Sequence, residues 1–436
     1  MKITIMGLGL NGGGLASALY FAKRGDDVTV TDLRDETILA PAMERLKEYP
    51  IRYILKEHRI EDFRDADCVI KNPAVKWDSP YLKAAKNIET DITVFLRQTK
   101  NPVTAVTGSK GKSTTVSALH HILKECGKNP HLGGNITVSP LTFINEAIAD
   151  PQSPVILELS SWQLADIREI EKRTNSILLK PQTAVITNIL HDHQNAYACF
   201  EDYIADKAFI YRNQSGDDKL IVPSDDYGRR FAAEAHAQIF FSGEIEDAIL
   251  PETLKVPGNH SRINIRTAAQ IAIWYGCDSE AVRQAAAGFT GVPFRLENRG
   301  TVGNVTFYND SAATMPDAML AACRSFSCPV YLITGGTDKN LILDPFGEIP
   351  DNVRHISLLY GSATLKALET TGLKNRVCSG PFHSMKEAFS DAWQAASRAE
   401  EPSVLLLSPG GSSFELFLNE FDRGRQFNTE ILMLNE

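Results

Sequence analysis

The sequence predicts an α/β protein built in three consecutive parts. Short β-branched runs alternate with helix-period stretches along the whole chain. Two glycine-rich turns each sit between such a run and such a helix. With 436 residues, 43% of them hydrophobic and 23% charged, the chain has material for about three cores.

In the first part, residues 1–92, strands are expected at Lys2–Met6, Asp27–Asp32 and Cys68–Ile70, with helices at Gly13–Arg24 and Pro80–Lys86. This is an open α/β unit. The second part, residues 93–292, opens on a strand at Val103–Val106 and a helix through Leu119 and Ile122. Strands at Val155–Leu159 and Ala184–Thr187 follow, then helical stretches at Phe200–Arg212 and Ile263–Tyr275. The third part, residues 293–436, carries strands at Val305–Tyr308, Val330–Thr334, His355–Leu359 and Val404–Leu407 with helices between. No repeat or low-complexity tract interrupts the pattern.

Composition narrows the function classes. A formal charge of −9 and no basic stripe argue against a nucleic-acid partner. No apolar run reaches the about 18 residues of a membrane span, so no membrane insertion is expected. The opening MKITIMGLGL runs straight into a strand–turn–helix pattern and reads as folded protein rather than a signal peptide. Seven scattered cysteines without a C-x-x-C pair suit a reducing cytoplasm and disfavour disulfides and zinc.

The strongest motif is Val103–Thr115, VTAVTGSKGKSTT. Gly108, Ser109, Lys110 and Gly111 lie between strand and helix, and Lys112, Ser113 and Thr114 open the helix. Small residues let backbone N–H groups surround a phosphate, and the helix N-terminus adds partial positive charge. Lys112 can reach the outer phosphates, and Ser113 or Thr114 can ligate Mg2+. This is a short P-loop, and ATP is the expected ligand.

Other motifs are ambiguous alone. Gly7-Leu8-Gly9-Leu10-Asn11-Gly12 follows a strand, and Asp32 lies 20 residues beyond Gly12. That matches the dinucleotide fingerprint, but a nucleotide-sugar pyrophosphate or a ligand-free turn fits as well. Glu158-Leu159-Ser160-Ser161 ends a strand, as a Mg2+ ligand beside substrate-binding serines or as a capped helix start. His191-Asp192-His193 reads as a metal site or a loop histidine pair. Lys207 has helical spacing and by itself reads as a solvated face. Asn309-Asp310-Ser311, Gly335–Lys339 and Ser408–Ser413 each follow a strand, and together they form a rim at one sheet edge.

Taken in order, the P-loop, Glu158, Asp192-His193, Lys207, Gly258-Asn259-His260 with Asn264, Arg295-Leu296-Glu297, Asn309-Asp310-Ser311 and Gly335-Gly336 resemble the Mur ligase family along nearly the whole chain. The glycine-rich start, LELSSWQL and LSPGGSSFELF are most similar to its D-glutamate-adding branch. The resemblance implies Rossmann-like first and third domains around a P-loop ATPase-like centre with a mostly parallel sheet. It implies a cytoplasmic, monomeric enzyme of peptidoglycan precursor synthesis, hence of cell-wall growth, cell shape and division. ATP would phosphorylate the carboxylate of UDP-N-acetylmuramoyl-L-alanine, and the glutamate amine would attack the acyl phosphate.

The resemblance also assigns roles. Gly108–Thr114, Asn264, Arg295 and Asp310 would bind ATP. Lys112, Glu158, His193 and Lys207 would be catalytic. Ser113, Glu158, His193 and a carbamylated Lys207 would hold Mg2+. Leu10, Asn11, Asp32, Arg34, Asn135 and Ser160 would receive the UDP-substrate, and Thr314, Lys339, Ser413 and Phe414 the glutamate. Lys110, Asn195, Ser261 and Phe294 depart from the usual residues, Ala312 stands where a lysine is usual, and Glu420-Phe421 reverses an aromatic–acid order. These departures keep L-glutamate, or another acidic amino acid, as the alternative acceptor. An NAD-dependent oxidoreductase, or a non-catalytic nucleotide binder, is the reading from other classes.

Overall fold

The computed structural model describes residues 1–9, 12–190, 197, 199–339 and 341–434. They form two compact units: residues 1–250 with 263–286, and residues 251–262 with 287–436.

The first unit carries two sheets. In one, β1 (Lys2–Met6), β2 (Asp27–Asp32), β3 (Arg52–Leu55), β4 (Cys68–Lys71) and β5 (Ile88–Glu89) run parallel in the order β3-β2-β1-β4-β5. The chain moves outward from β1 to β3 and then restarts at β4 on β1's other side. Open α/β sheets bind ligands at such a switch, beyond the strands' carboxyl ends. The glycine turn after β1 and residues 72–74 after β4 lie there. Gly12, at φ 92°, starts the helix Gly13–Lys23. A β-carbon on Gly14 would overlap the carbonyl oxygens of Gly7 and Leu8, so helix and strand meet there backbone to backbone.

In the other sheet, β6 (Val103–Thr107), β7 (His131–Gly134), β8 (Val155–Glu158), β9 (Thr183–Ile186), β10 (Lys219–Val222) and β11 (Gln238–Phe241) are parallel in the order β11-β10-β9-β6-β8-β7. Their central strands are buried on both faces and read as continuous apolar runs. One apolar cluster extends from Ile3 and Val30 through Phe95 to Ala105, Leu157 and Ile186, joining both sheets in a single core.

The second unit has β12 (Glu297–Val302), β13 (Val305–Asn309), β14 (Val330–Thr334), β15 (Val353–Leu359), β16 (Cys378–Phe382) and β17 (Ser403–Leu407), ordered β12-β13-β17-β14-β15-β16. β12 and β13 form an antiparallel hairpin, and the other pairs are parallel. Alternate residues face opposite layers. Tyr308 and Leu332 pack with Met319 and Phe346, whereas Phe307 and Ile333 pack with Phe389 and Phe427. The segment Phe200–Arg212, expected as one helix, is a helix Phe200–Ala208 followed by a 3-10 turn, Phe209–Tyr211.

Candidate active site

The P-loop takes the conformation its glycines allow. Gly108 and Gly111 have φ of 141° and 85°, and Gly111 precedes the helix Lys112–Glu125. Lys112 Nζ donates to the carbonyls of Gly108 (2.8 Å) and Ser109 (3.0 Å), so the ammonium lies over its own loop. The end of β9, next to β6, supports that loop from behind. Ser109 N donates to Asn188 O, Lys110 N to Asn188 Oδ1, and Thr187 Oγ1 to Lys110 O. Thr187 and Asn188 are supports that sequence reasoning missed; only long-range strand pairing brings them there. Lys110 is exposed, and the Asn264 amide lies against Gly111.

Glu158 ends β8 beside Val106 of β6. Its Oε1 accepts from Asn135 Nδ2 at 2.9 Å, while Oε2 is buried without a hydrogen-bond partner. Leaving a carboxylate oxygen so is costly unless a cation or donor meets it. Ser160 caps the helix Ser161–Thr174 in a capping box with Gln163, so the capped-start reading of Glu-Leu-Ser-Ser holds alongside any other role. Lys207, 2% exposed, donates to Gly108 O at 2.9 Å and lies 4.6 Å from the Tyr203 ring centre. Its expected solvated face is therefore an interior one. Tyr203 in turn shares a 2.8 Å hydrogen bond with Ser109.

Gly108, Lys112, Asn135, Ser160 and Lys207 are among the walls of one cleft of about 370 Å³; Glu158 is not, and lies behind the wall residue Asn135 that donates to it. Gly13, Asn72 and Asp91 line it too, so the switch point of the first sheet opens onto the P-loop. Asp32 and Arg34 lie outside its walls. Both Asp32 oxygens are occupied: Oδ2 accepts from Leu8 N, Gly9 N and Arg34, and Oδ1 from the Arg34 backbone and side chain. Burial pushes this carboxyl up, but the Arg34 hydrogen bonds outweigh it and hold it below the usual range. Leu10, Asn11 and His193, with His191, Asp192 and Asn195, lie outside the described residues. Among those described, no cluster of three His, Cys, Asp or Glu could hold a metal.

In the second unit the three expected polar loops leave three neighbouring strands, β13, β17 and β14. Asp310 accepts from Ser408 Oγ (2.7 Å) and Leu296 N (3.0 Å), and full burial pushes its carboxyl up to about 7. Arg295 is exposed and Thr314 half-buried. Lys339 Nζ sits 4.1 Å above the Phe414 ring, and the Ser413 hydroxyl is buried without a hydrogen-bond partner.

Comparison with known proteins places this geometry. Residues 1–94 match the MurD-like N-terminal domain of Mur ligases, and residues 106–273 the Mur ligase middle domain. The UDP-N-acetylmuramoylalanine–D-glutamate ligase of Treponema pallidum is 37% identical over 100% of this chain and 98% of its own. That of Borreliella burgdorferi is 39% identical over 98% and 96%. Among solved structures, the UDP-N-acetylmuramate–alanine ligase MurC of Thermotoga maritima covers 100% of both chains at TM-score 0.59 and 20% identity. The MurF ligase of that organism, in complex with ADP, covers 94% of this chain and 96% of its own at TM-score 0.58 and 14% identity. At those identities the structures speak for the fold alone. The full-length relatives settle the family: the chain belongs to the Mur ligases, on their MurD-like branch.

Proposed function

We propose that the chain is an ATP-dependent ligase that joins D-glutamate to the carboxylate of UDP-N-acetylmuramoyl-L-alanine in peptidoglycan precursor synthesis. The observation that carries this reading is full-length similarity, at 37% and 39% identity, to ligases named for that reaction. A P-loop and an unpartnered Glu158 oxygen on neighbouring strands support it.

A carboxylate is a poor electrophile at neutral pH, and phosphorylation gives it a leaving group. The chain's task is then positioning and charge neutralisation. The loop Gly108–Gly111 and the start of the following helix direct N–H groups at the ATP phosphates. Lys112, folded over that loop, moves its ammonium onto the transferred phosphoryl group. Asn264, Arg295 and Asp310 hold the nucleoside. Asn135 and Ser160 orient the muramoyl substrate, with Leu10 and Asn11 at its diphosphate. Arg34 meets the nucleotide, and Asp32 acts through the glycine loop it braces. The Asp32 occupancy also leaves it no free oxygen for the ribose of NAD. Thr314, Lys339, Ser413 and Phe414 receive the glutamate; Lys339 pairs with a carboxylate.

The orphaned Glu158 oxygen fits a hard cation. Glu158 and Ser113, with His193 and Lys207, would hold Mg2+, which supplies charge neutralisation between phosphate and carboxylate. Carbamylation of Lys207 would replace a buried cation by an anionic oxygen donor. Among the described residues no helix is long and apolar enough to cross a membrane. We assign small-molecule substrates, a monomeric cytoplasmic enzyme and the division 1–92, 93–292 and 293–436 to this reading. Phosphate release from ATP and Mg2+, dependent on both the nucleotide sugar and D-glutamate, tests it. Release with L-glutamate alone would transfer the reading to the alternative acceptor that Ala312 raises.

A further inference from the structure

A buried cluster outside the ATP machinery is unexplained by the reaction. Lys71 is the last residue of β4 and pairs in register with Met6, the residue before the glycine turn. It is 2% exposed. Its Nζ donates to Asp166 Oδ2 at 2.8 Å and to the carbonyls of Asn72 (3.2 Å) and Pro73 (3.5 Å). Asp166 comes from the helix Ser161–Thr174, and its Oδ1 accepts from Trp77 Nε1 at 2.8 Å. Arg173 of the same helix covers the Trp77 ring at 4.6 Å.

The three residues join two walls of the cleft. Asn72, Pro73 and Ala74 line it from the first sheet, and Ser161, Trp162 and Gln163 from the helix. Asn72 also packs against Gly7 of the glycine turn. A buried ion pair is a weak device for stability, since apolar residues of similar size often serve as well or better. What it gives is direction: one ammonium aims two loop carbonyls and one carboxylate, and the indole fixes the other carboxylate oxygen. We propose that Lys71, Asp166 and Trp77 are positioning residues that set the 72–74 loop against the helix start and so shape the seat of the nucleotide-sugar substrate. This deepens the ligase reading and rests on it.

The test is calorimetric binding of UDP-N-acetylmuramoyl-L-alanine, with steady-state kinetics and thermal melting, on the full chain carrying Lys71→Met with Asp166→Leu, or Trp77→Phe alone. The apolar double variant, which leaves the half-buried Trp77 N–H without its acceptor, is expected to stay folded with a cooperative melt yet bind the nucleotide sugar at least about tenfold more weakly, the scale of a lost charge-assisted hydrogen bond. KM should rise for that substrate alone, with KM for ATP and for D-glutamate unchanged. Trp77→Phe, which removes a single hydrogen bond, should weaken the same binding by a smaller factor, and it decides the matter if the double variant does not fold. Unchanged nucleotide-sugar binding in a folded variant overturns the proposal, as does an equal loss for all three substrates. Absence of ligation by the unsubstituted chain would count against the ligase reading, while the binding comparison still judges the clamp.

Discussion

At the scale of single residues, charge placed at strand ends carries the chemistry. Lys112→Ala should leave the fold intact, because Thr187 and Asn188 still hold the loop once the ammonium's two hydrogen bonds to Gly108 and Ser109 are lost. It should lower kcat by about 100- to 1000-fold, the scale of losing one preorganised charge at a transition state. Glu158→Gln keeps shape and the Asn135 contact but removes the anion. ATP turnover should fall and the Mg2+ concentration for half-activity should rise, as a metal titration would show. Asp310 tests the electrostatics of the second unit. Its carboxyl is pushed up to about 7, so the folded chain holds a proton that the unfolded chain releases near pH 4. Folded stability should therefore decline as pH rises from about 4 to 7. Asp310→Asn should flatten that decline in denaturant titrations; an unchanged slope would refute it. Lys112, Glu158 and Ser160 were legible because each belongs to a local motif with its own mechanics. Thr187, Asn188 and the Lys71–Asp166 pair were not, because each contact joins residues far apart in sequence.

At the scale of elements, the sequence marks strands by apolar runs, and this works where a strand is buried on both faces. It leaves unmarked the six edge strands, β3, β5, β7, β11, β12 and β16, and also misses one interior strand, β10, although its KLIV is a buried apolar run. Edge strands are half-exposed and need no apolar run: β12 reads ENRGTV, and half of β7, HLGG, is glycine. The glycine turn was legible as a phosphate-type motif, yet its tightest contact is at Gly14, outside the motif as spaced from the sequence. Gly14→Ala would force helix and strand apart. It should cost about 1–3 kcal/mol in denaturant unfolding, as overpacking does, and weaken nucleotide-sugar binding with it. A Gly14→Ala variant of full stability would show that the close approach is dispensable.

At the scale of the whole molecule, three sheets share one design: polar loops gathered at the carboxyl ends of parallel strands. In the first unit two such edges open onto one cleft, which joins a nucleotide-type turn to a P-loop. That arrangement suits a reaction in which a phosphoryl group passes from one bound nucleotide to an acid carried by another. The measurement that tests this most directly is phosphate release from ATP and Mg2+ with UDP-N-acetylmuramoyl-L-alanine, run with D-glutamate, with L-glutamate and with neither. A D-glutamate-adding ligase gives sustained release with D-glutamate and none with L-glutamate or without an amino acid, and that is the expected result. Release with L-glutamate alone, or none under any of the three conditions, would contradict it.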